Sequence, residues 1–323
     1  MNSITAAHRR VADALTEFVR SLHGKATVTI GEPLLEAVLV RGLSGRVGST
    51  LLMQLLATSP EISFDRVYPF ENRYLAGLVH YLEPLRGSSI STPQSWLDDP
   101  DHLWWVDPKG FGFKLIGTPL GYYKHMCADR EILFRETMRG AWRAYSAAIM
   151  KPGQPPPRYY AEKYGGYGDV VVTVGIPIRF INLIRDPRDV WASVLAFDTK
   201  RGYYGFGRRK GQSQDAFLLS YVQAVRRRLD EMNLPLTKNA SITVRYEDLV
   251  ADLSGEAARI ERWLQVDLRP EVVDSARSDF LHHVTTETAQ ESVERWRRDV
   301  TPADVELLER ELGPYLDRLG YTR

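Results

Sequence analysis

Apolar residues recur along this chain at two different spacings, and the switches between them predict alternating strands and helices. Residues 4–22 carry Ile4, Val11, Leu15, Phe18 and Leu22 at helical spacing, which predicts an amphipathic helix. The run Ala37-Val38-Leu39-Val40 predicts a buried strand, followed by a turn rich in glycine and serine and a helix opening with Leu51-Leu52-Met53-Gln54-Leu55-Leu56. Short strands are also expected at residues 62–64, 111–116, 180–184 and 242–246, and helices at about 68–81, 128–149, 190–197 and 216–232. Strands that are apolar throughout are buried on both faces, so the alternation predicts an α/β fold with a parallel sheet covered on either side by helices. Residues 87–110, rich in Ser, Pro, Asp and Trp, break the pattern. So do residues 151–169, a loop-like stretch with four prolines and four glycines, and residues 198–214, a basic, aromatic and glycine-rich stretch suited to a lid.

Composition narrows the class. The chain has 323 residues, 44% hydrophobic and 26% charged, an ordinary make-up for a soluble globular protein. No Ser/Gly-rich or charge-block linker divides it, so a single domain over residues 1–323 is expected. The net charge of +1 gives no global field for nucleic acid or an anionic membrane, and neither is expected as a partner. An anionic ligand would need local cations. Cys127 is the only cysteine, which excludes an intrachain disulfide and argues against a cysteine-based metal site. Residues 1–20 hold Arg9, Arg10, Asp13, Glu17 and Arg20 where a signal peptide would hold an apolar core, so a cytoplasmic protein is expected.

Two strand ends carry candidate anion-binding chemistry. The first is the turn Arg41-Gly42-Leu43-Ser44-Gly45-Arg46-Val47-Gly48-Ser49-Thr50. It does not fit a Walker A loop: counted from Gly42, the required Gly and Lys fall on Val47 and Gly48. Yet Gly48 would let the backbone approach an oxyanion, the amides and hydroxyls of Ser49 and Thr50 open a helix, and Arg46 can neutralise charge. An ordinary capped strand–helix turn is the alternative. The second is Arg185-Asp186-Pro187-Arg188-Asp189-Val190-Trp191-Ala192-Ser193, just past a strand, where α/β folds place their ligands. Arg185 and Ser193 could grip a second phosphate together. Otherwise Asp186 merely caps a helix, Pro187 opens it, and Arg185 sits in a surface ion pair.

Together these segments resemble the sulfotransferase family that uses 3′-phosphoadenosine 5′-phosphosulfate (PAPS). Arg46, Val47, Gly48, Ser49, Thr50 and Leu51 are similar to the family's 5′-phosphosulfate loop, and Arg185 to Ser193 to its 3′-phosphate motif. Arg245-Tyr246-Glu247-Asp248-Leu249 resembles its Y-E-D-L segment, in which the Tyr lies against adenine. Residues 285–299, with Thr285, Arg295 and Trp296, resemble its C-terminal stretch that closes over the nucleotide. The resemblance implies a three-layer α/β/α domain with about five parallel strands, related to P-loop NTPases. It also implies PAPS as donor, PAP as product and no metal. Val47 departs from the usual Ser or Gly.

The resemblance further implies roles in catalysis. Arg46 would stabilise the leaving phosphate, and Lys163, in Ala161-Glu162-Lys163-Tyr164, would reach the leaving oxygen; a solvated loop lysine is the alternative. Glu71 is the favoured base, with Asp65, His80 and His125 as rivals. Tyr122, Tyr123, Tyr159, Tyr160, Tyr164, Tyr203, Tyr204 and Phe206 fall in expected loops and are candidates to wall an acceptor pocket. The acceptor is expected to be a small molecule such as a secondary metabolite or sugar. A magnesium-dependent nucleotide kinase and a catalytically silent PAP-binding protein stay open as other readings.

Overall fold

The computed structural model describes residues 35–82, 119–149, 155–165, 174–233, 240–275 and 284–322. The expected helix over 4–22, the strand at 111–116 and the irregular stretch at 87–110 lie outside the described residues. The described part forms two compact units.

The larger unit is built on five parallel strands in the order β2-β3-β1-β4-β5. These are β1 (Glu36–Gly42), β2 (Ile62–Ser63), β3 (Tyr159–Lys163), β4 (Ile178–Ile184) and β5 (Ser241–Arg245). The predicted parallel α/β architecture is present. Four of the expected strands appear within two residues of their expected bounds. β3 does not: its residues fall in the stretch expected to be a loop.

The burial of β3 explains the difference. All five of its residues are buried, and it pairs with β1 on one side and β2 on the other. Two of the five, Glu162 and Lys163, are charged, so the segment never reads as an apolar run. Each charge is partnered: Tyr160 donates its hydroxyl to Glu162 Oε2 at 2.8 Å, and Lys163 is bound as described below. Tyr159 and Tyr160 therefore belong to the sheet core, not to a loop.

Register brings the strand ends level. Lys163 lies beside Val40 of β1, Gly42 beside Leu183 of β4, and Ile184 beside Arg245 of β5. The residues that follow these ends share one edge of the sheet. The connecting helices are α1 (Ser49–Ala57) after β1, α4 (Pro187–Arg201) after β4, α5 (Gln214–Met232) before β5, and α6 (Tyr246–Ala251) after it. α7 (Leu253–Leu264), α8 (Pro270–Ser275), α9 (Trp296–Asp299) and α10 (Pro302–Leu319) complete the unit. α8 packs on α1 and α7, while α10 packs on α4 and α5. The core is aliphatic, with Leu52, Leu55, Ile181, Leu183, Val244, Ile260 and Leu308 all fully enclosed.

The smaller unit contains α2 (Tyr74–Leu82) and α3 (Pro119–Ala148). Tyr74 stacks on Tyr145 with ring centroids 4.0 Å apart, and Trp142 donates its indole N–H to the Leu35 carbonyl at 2.8 Å. α2 was expected from residue 68, but it begins at Tyr74. Pro69 and the left-handed backbone of Phe70 (φ 63°) keep residues 68–73 out of helix.

Candidate active site

The site is built where β1, β3, β4 and β5 end. After β1 the chain makes its glycine turn and enters α1, whose cap is Gly48 with φ 92°. Only glycine suits this position twice over. A left-handed φ strains any side chain, and a Cβ here would lie 2.2 Å from the ring of Tyr246. The Y-E-D segment thus rests directly on the loop. Val47 points the other way, buried against Gly42, so its departure from the family pattern is a packing residue beneath the loop.

The two expected anion anchors meet. Arg46 donates Nε–H to Ser193 Oγ at 3.2 Å, and its guanidinium lies 4.3 Å from the Phe197 ring centroid. Arg185 donates to the Arg46 carbonyl at 2.9 Å and to the Ser292 carbonyl at 2.6 Å, while its guanidinium lies over Tyr246 at 4.3 Å. It is not a surface ion pair, being only 3% exposed. Its Nε is buried with no hydrogen-bond partner. Burial, and then the nearby Arg185, push the Arg46 guanidinium down to about 10. Two cations held this close with little water favour an anion between them.

The neighbouring residues of the second motif fasten it in place. Asp186 does cap α4, accepting from the Arg188 amide at 2.8 Å, and Pro187 opens the helix. Arg188 is almost fully buried, paired with Asp186 at 2.8 Å and Glu309 at 2.6 Å. Asp189 accepts from the amides of Glu294 at 2.8 Å and Trp296 at 2.9 Å. Burial pushes the Asp189 carboxyl up to about 6, against the pull of those amides and of Arg185. Glu247, the residue after Tyr246, accepts from the Asp186 amide at 2.9 Å.

Lys163 supplies the third cation. Its ammonium donates to Thr50 Oγ1 at 3.1 Å, to the Pro69 carbonyl at 2.7 Å and to Glu71 Oε1 at 2.8 Å. It is a buried strand-end residue, not a solvated loop lysine. Burial lowers the Lys163 ammonium, though Glu71 opposes the shift. Glu71 also binds Arg73. Burial would raise the Glu71 carboxyl, but the bonds and charges of Lys163 and Arg73 prevail and hold it below its ordinary value.

These groups line one cleft of about 410 Å³. Arg46, Gly48, Ser49, Thr50, Leu51, Glu71, Lys163, Arg185, Ser193, Tyr246 and Thr285 all border it. Arg295 and Trp296 do not. Arg295 holds Thr285 Oγ1 at 2.8 Å and pairs with Asp299, and Trp296 packs under the Arg188 guanidinium at 3.9 Å. Both brace the C-terminal stretch from behind. Among the rival bases, Asp65 does not border the cleft and instead binds Asn72 and the Val67 amide. His80 is exposed on α2, and the side chain of His125 lies outside the described residues.

Sequence reasoning missed several lining residues, including Tyr68, Phe197, Arg201 and Ser292. Ser292 has a visible role: its hydroxyl meets that of Tyr246 at 2.9 Å. Nothing in local sequence spacing pairs residues so far apart.

Arg185, Ser193 and Tyr246 thus border the same cleft. Residues 177–270 match the sulfotransferase family. The matched segment contains Arg185, Ser193 and Tyr246, while the glycine turn, Glu71 and Lys163 lie outside it. No curated protein matches the chain. Among solved structures it is similar to sulfotransferase STF9 from Mycobacterium avium, at 14% identity over 94% of this chain and 82% of that one, with a TM-score of 0.48. It is also similar to the sulfotransferase domain from the curacin biosynthetic pathway, at 16% identity over 90% and 99% of the two chains, with a TM-score of 0.47. A third is the retinol dehydratase complex with androsterone and inactive cofactor PAP, at 14% identity over 93% and 85%, with a TM-score of 0.40.

Among the described residues, no helix is long and apolar enough to cross a membrane, and no three His, Cys, Asp or Glu side chains cluster as metal ligands.

Proposed function

We propose that this protein is a cytoplasmic sulfotransferase that takes its sulfuryl group from PAPS and delivers it to a hydroxyl or amine of a small-molecule acceptor. The observation that carries the reading is the convergence of the two anion anchors on one cleft, with Arg46 bonded to Ser193 and Lys163 to Thr50. The residues present fit such a donor. Arg185 has a buried donor without an acceptor, and Gly48 leaves room for the Tyr246 ring against the loop.

PAPS would supply the sulfuryl group: the acceptor oxygen or nitrogen bonds to sulfur as the bond from sulfur to the phosphate oxygen breaks, its electron pair staying on the phosphate. The chain's own residues handle the charge and the proton. Arg185 and Ser193 hold the 3′-phosphate. Ser49 and Thr50, at the start of α1, offer amides and hydroxyls to the 5′-phosphate. Arg46 and Lys163 stabilise the negative charge left there. Glu71 borders the cleft beside Lys163 whereas Asp65 does not border it, and Glu71 accepts the acceptor's proton. Phe197 and Phe206 give one side of the cleft an apolar surface suited to an organic acceptor.

Calorimetric titration with PAP in EDTA, beside ATP with magnesium, tests the reading. The expected result is metal-free PAP binding that Arg185→Ala weakens roughly 10- to 100-fold, the loss of charge-assisted bonds. A preference for ATP with magnesium would replace the reading with the kinase one.

A further inference from the structure

An ammonium group has three hydrogens to donate, and Lys163 has all three engaged. Its partners differ in how easily they can leave. Thr50 stands in the first turn of α1, and the Pro69 acceptor is a backbone carbonyl. Glu71 is a long side chain, 45% exposed, with Arg73 as a second partner that would keep it paired. Lys163 itself is enclosed, its side chain 10% exposed, at the end of β3 where it pairs with Val40 of β1. It can change partners but cannot move far.

We infer that Lys163 is a shared cation, traded between Glu71 and an anion bound at the glycine turn. Glu71 acts as a resident competitor for the donor site, and an anion that captures Lys163 leaves Glu71 with Arg73 alone. The identity of the anion as the PAPS 5′-phosphate group rests on the sulfotransferase reading; the competition itself rests on the three bonds to Lys163. The coupling is reciprocal by thermodynamic necessity: whatever Glu71 takes from anion binding, anion binding takes from the Glu71–Lys163 pair. Loss of Lys163 as a neighbour removes a charge that holds the Glu71 carboxyl down. The base thus gains proton affinity only when the donor is in place, and an empty site keeps its carboxylate quenched.

The inference makes an unusual demand on a candidate catalytic residue. Removing the Glu71 charge should tighten nucleotide binding while sulfuryl transfer is lost. PAP binding would be measured by calorimetry in EDTA for the wild type, Glu71→Gln, Glu71→Ala, Lys163→Met and the Glu71→Gln/Lys163→Met double variant. The expected result is roughly 3- to 10-fold tighter binding for both Glu71 variants, and no gain from Glu71→Gln once Lys163 is Met, as a direct pair requires. Equal or weaker binding by both Glu71 variants overturns the inference, as does an undiminished gain in the Lys163→Met background. Absence of PAP binding by the wild type overturns the PAPS reading and with it the assignment of the anion, a different failure from PAP binding that ignores Glu71.

Discussion

The two sides of the cleft are built on different terms. On one side, Arg185 is fastened by the Arg46 and Ser292 carbonyls and stacked on Tyr246, while Arg188, Asp189 and Glu247 lock the surrounding backbone. Arg185, Arg188, Asp189, Tyr246 and Ser292 are buried and Glu247 is half-buried, and the group lies within or against the segment that matches the family. On the other side, Glu71 and Arg73 reach in from an irregular connection and remain well exposed, and Glu71 meets Lys163 through a single ion pair. On the proposed sulfotransferase reading the contrast separates two tasks. Gripping an anion wants donors that cannot relax, because preorganised groups lose little entropy on binding. Moving a proton wants a carboxylate whose neighbours can change, because its basicity must depend on what else is bound.

Four experiments would break or sharpen that contrast. Arg188→Ala should have the largest effect, because it leaves the buried Asp186 without its partner; a loss of about 3–5 kcal/mol is expected in urea unfolding. A loss below about 1 kcal/mol would mean that the rigid side is not held by this ion pair.

The second is a pH effect at Asp189. Its carboxyl is raised from 3.8 to about 6 by burial, so in that interval the folded protein holds the proton more tightly than the unfolded chain. The stabilisation from Asp189 is therefore complete below its unfolded value and lost as pH rises through about 6, a change of about 3 kcal/mol at most. Asp189→Asn should flatten this slope in stability measured from pH 4 to 7; an unchanged slope would assign it to other groups.

Third, Gly48→Ala places a methyl group on the Tyr246 ring at a left-handed φ, and about 1–3 kcal/mol of destabilisation with weakened PAP binding is expected. Full PAP affinity in this variant would show that the Tyr246 contact with the loop is dispensable. Last, Glu71→Ala should shift unfolding by less than about 1 kcal/mol, since the Glu71 side chain is 45% exposed and Lys163 keeps its bonds to Thr50 and the Pro69 carbonyl. A larger loss would make the adjustable side a structural one.

The same contrast governs what could be read in the sequence. β1 and β4 were legible because sheet burial demands apolar runs, β5 because its β-branched Ile242, Thr243 and Val244 favour a strand, and the glycine turn and the Arg185–Ser193 motif because their spacing is local. β3 was hidden because its strand-end pair, Glu162 and Lys163, is charged; a strand with functional polar residues loses the periodicity that marks strands. The helix bound at residue 68 failed for a backbone reason, the Pro69–Phe70 geometry, which side-chain spacing does not encode. Trp296 was placed over the nucleotide by resemblance, yet it packs against Arg188 on the far side of the same stretch. Which face of a short irregular segment looks inward depends on partners distant in sequence, here Asp189 and Arg188.

The attachment of Ser292 to Arg185 and Tyr246 also bears on how the chain becomes competent as it is made. Residues 284–292 form a wall of the cleft, yet they follow Arg185 by about a hundred residues and the glycine turn by more than two hundred. During synthesis the sheet can assemble once β5 has emerged, but the ligand site stays open until this late segment arrives. A ribosome-bound chain would therefore assemble its sheet before this wall of the cleft, and α10, which packs on α4 and α5, would arrive last of all.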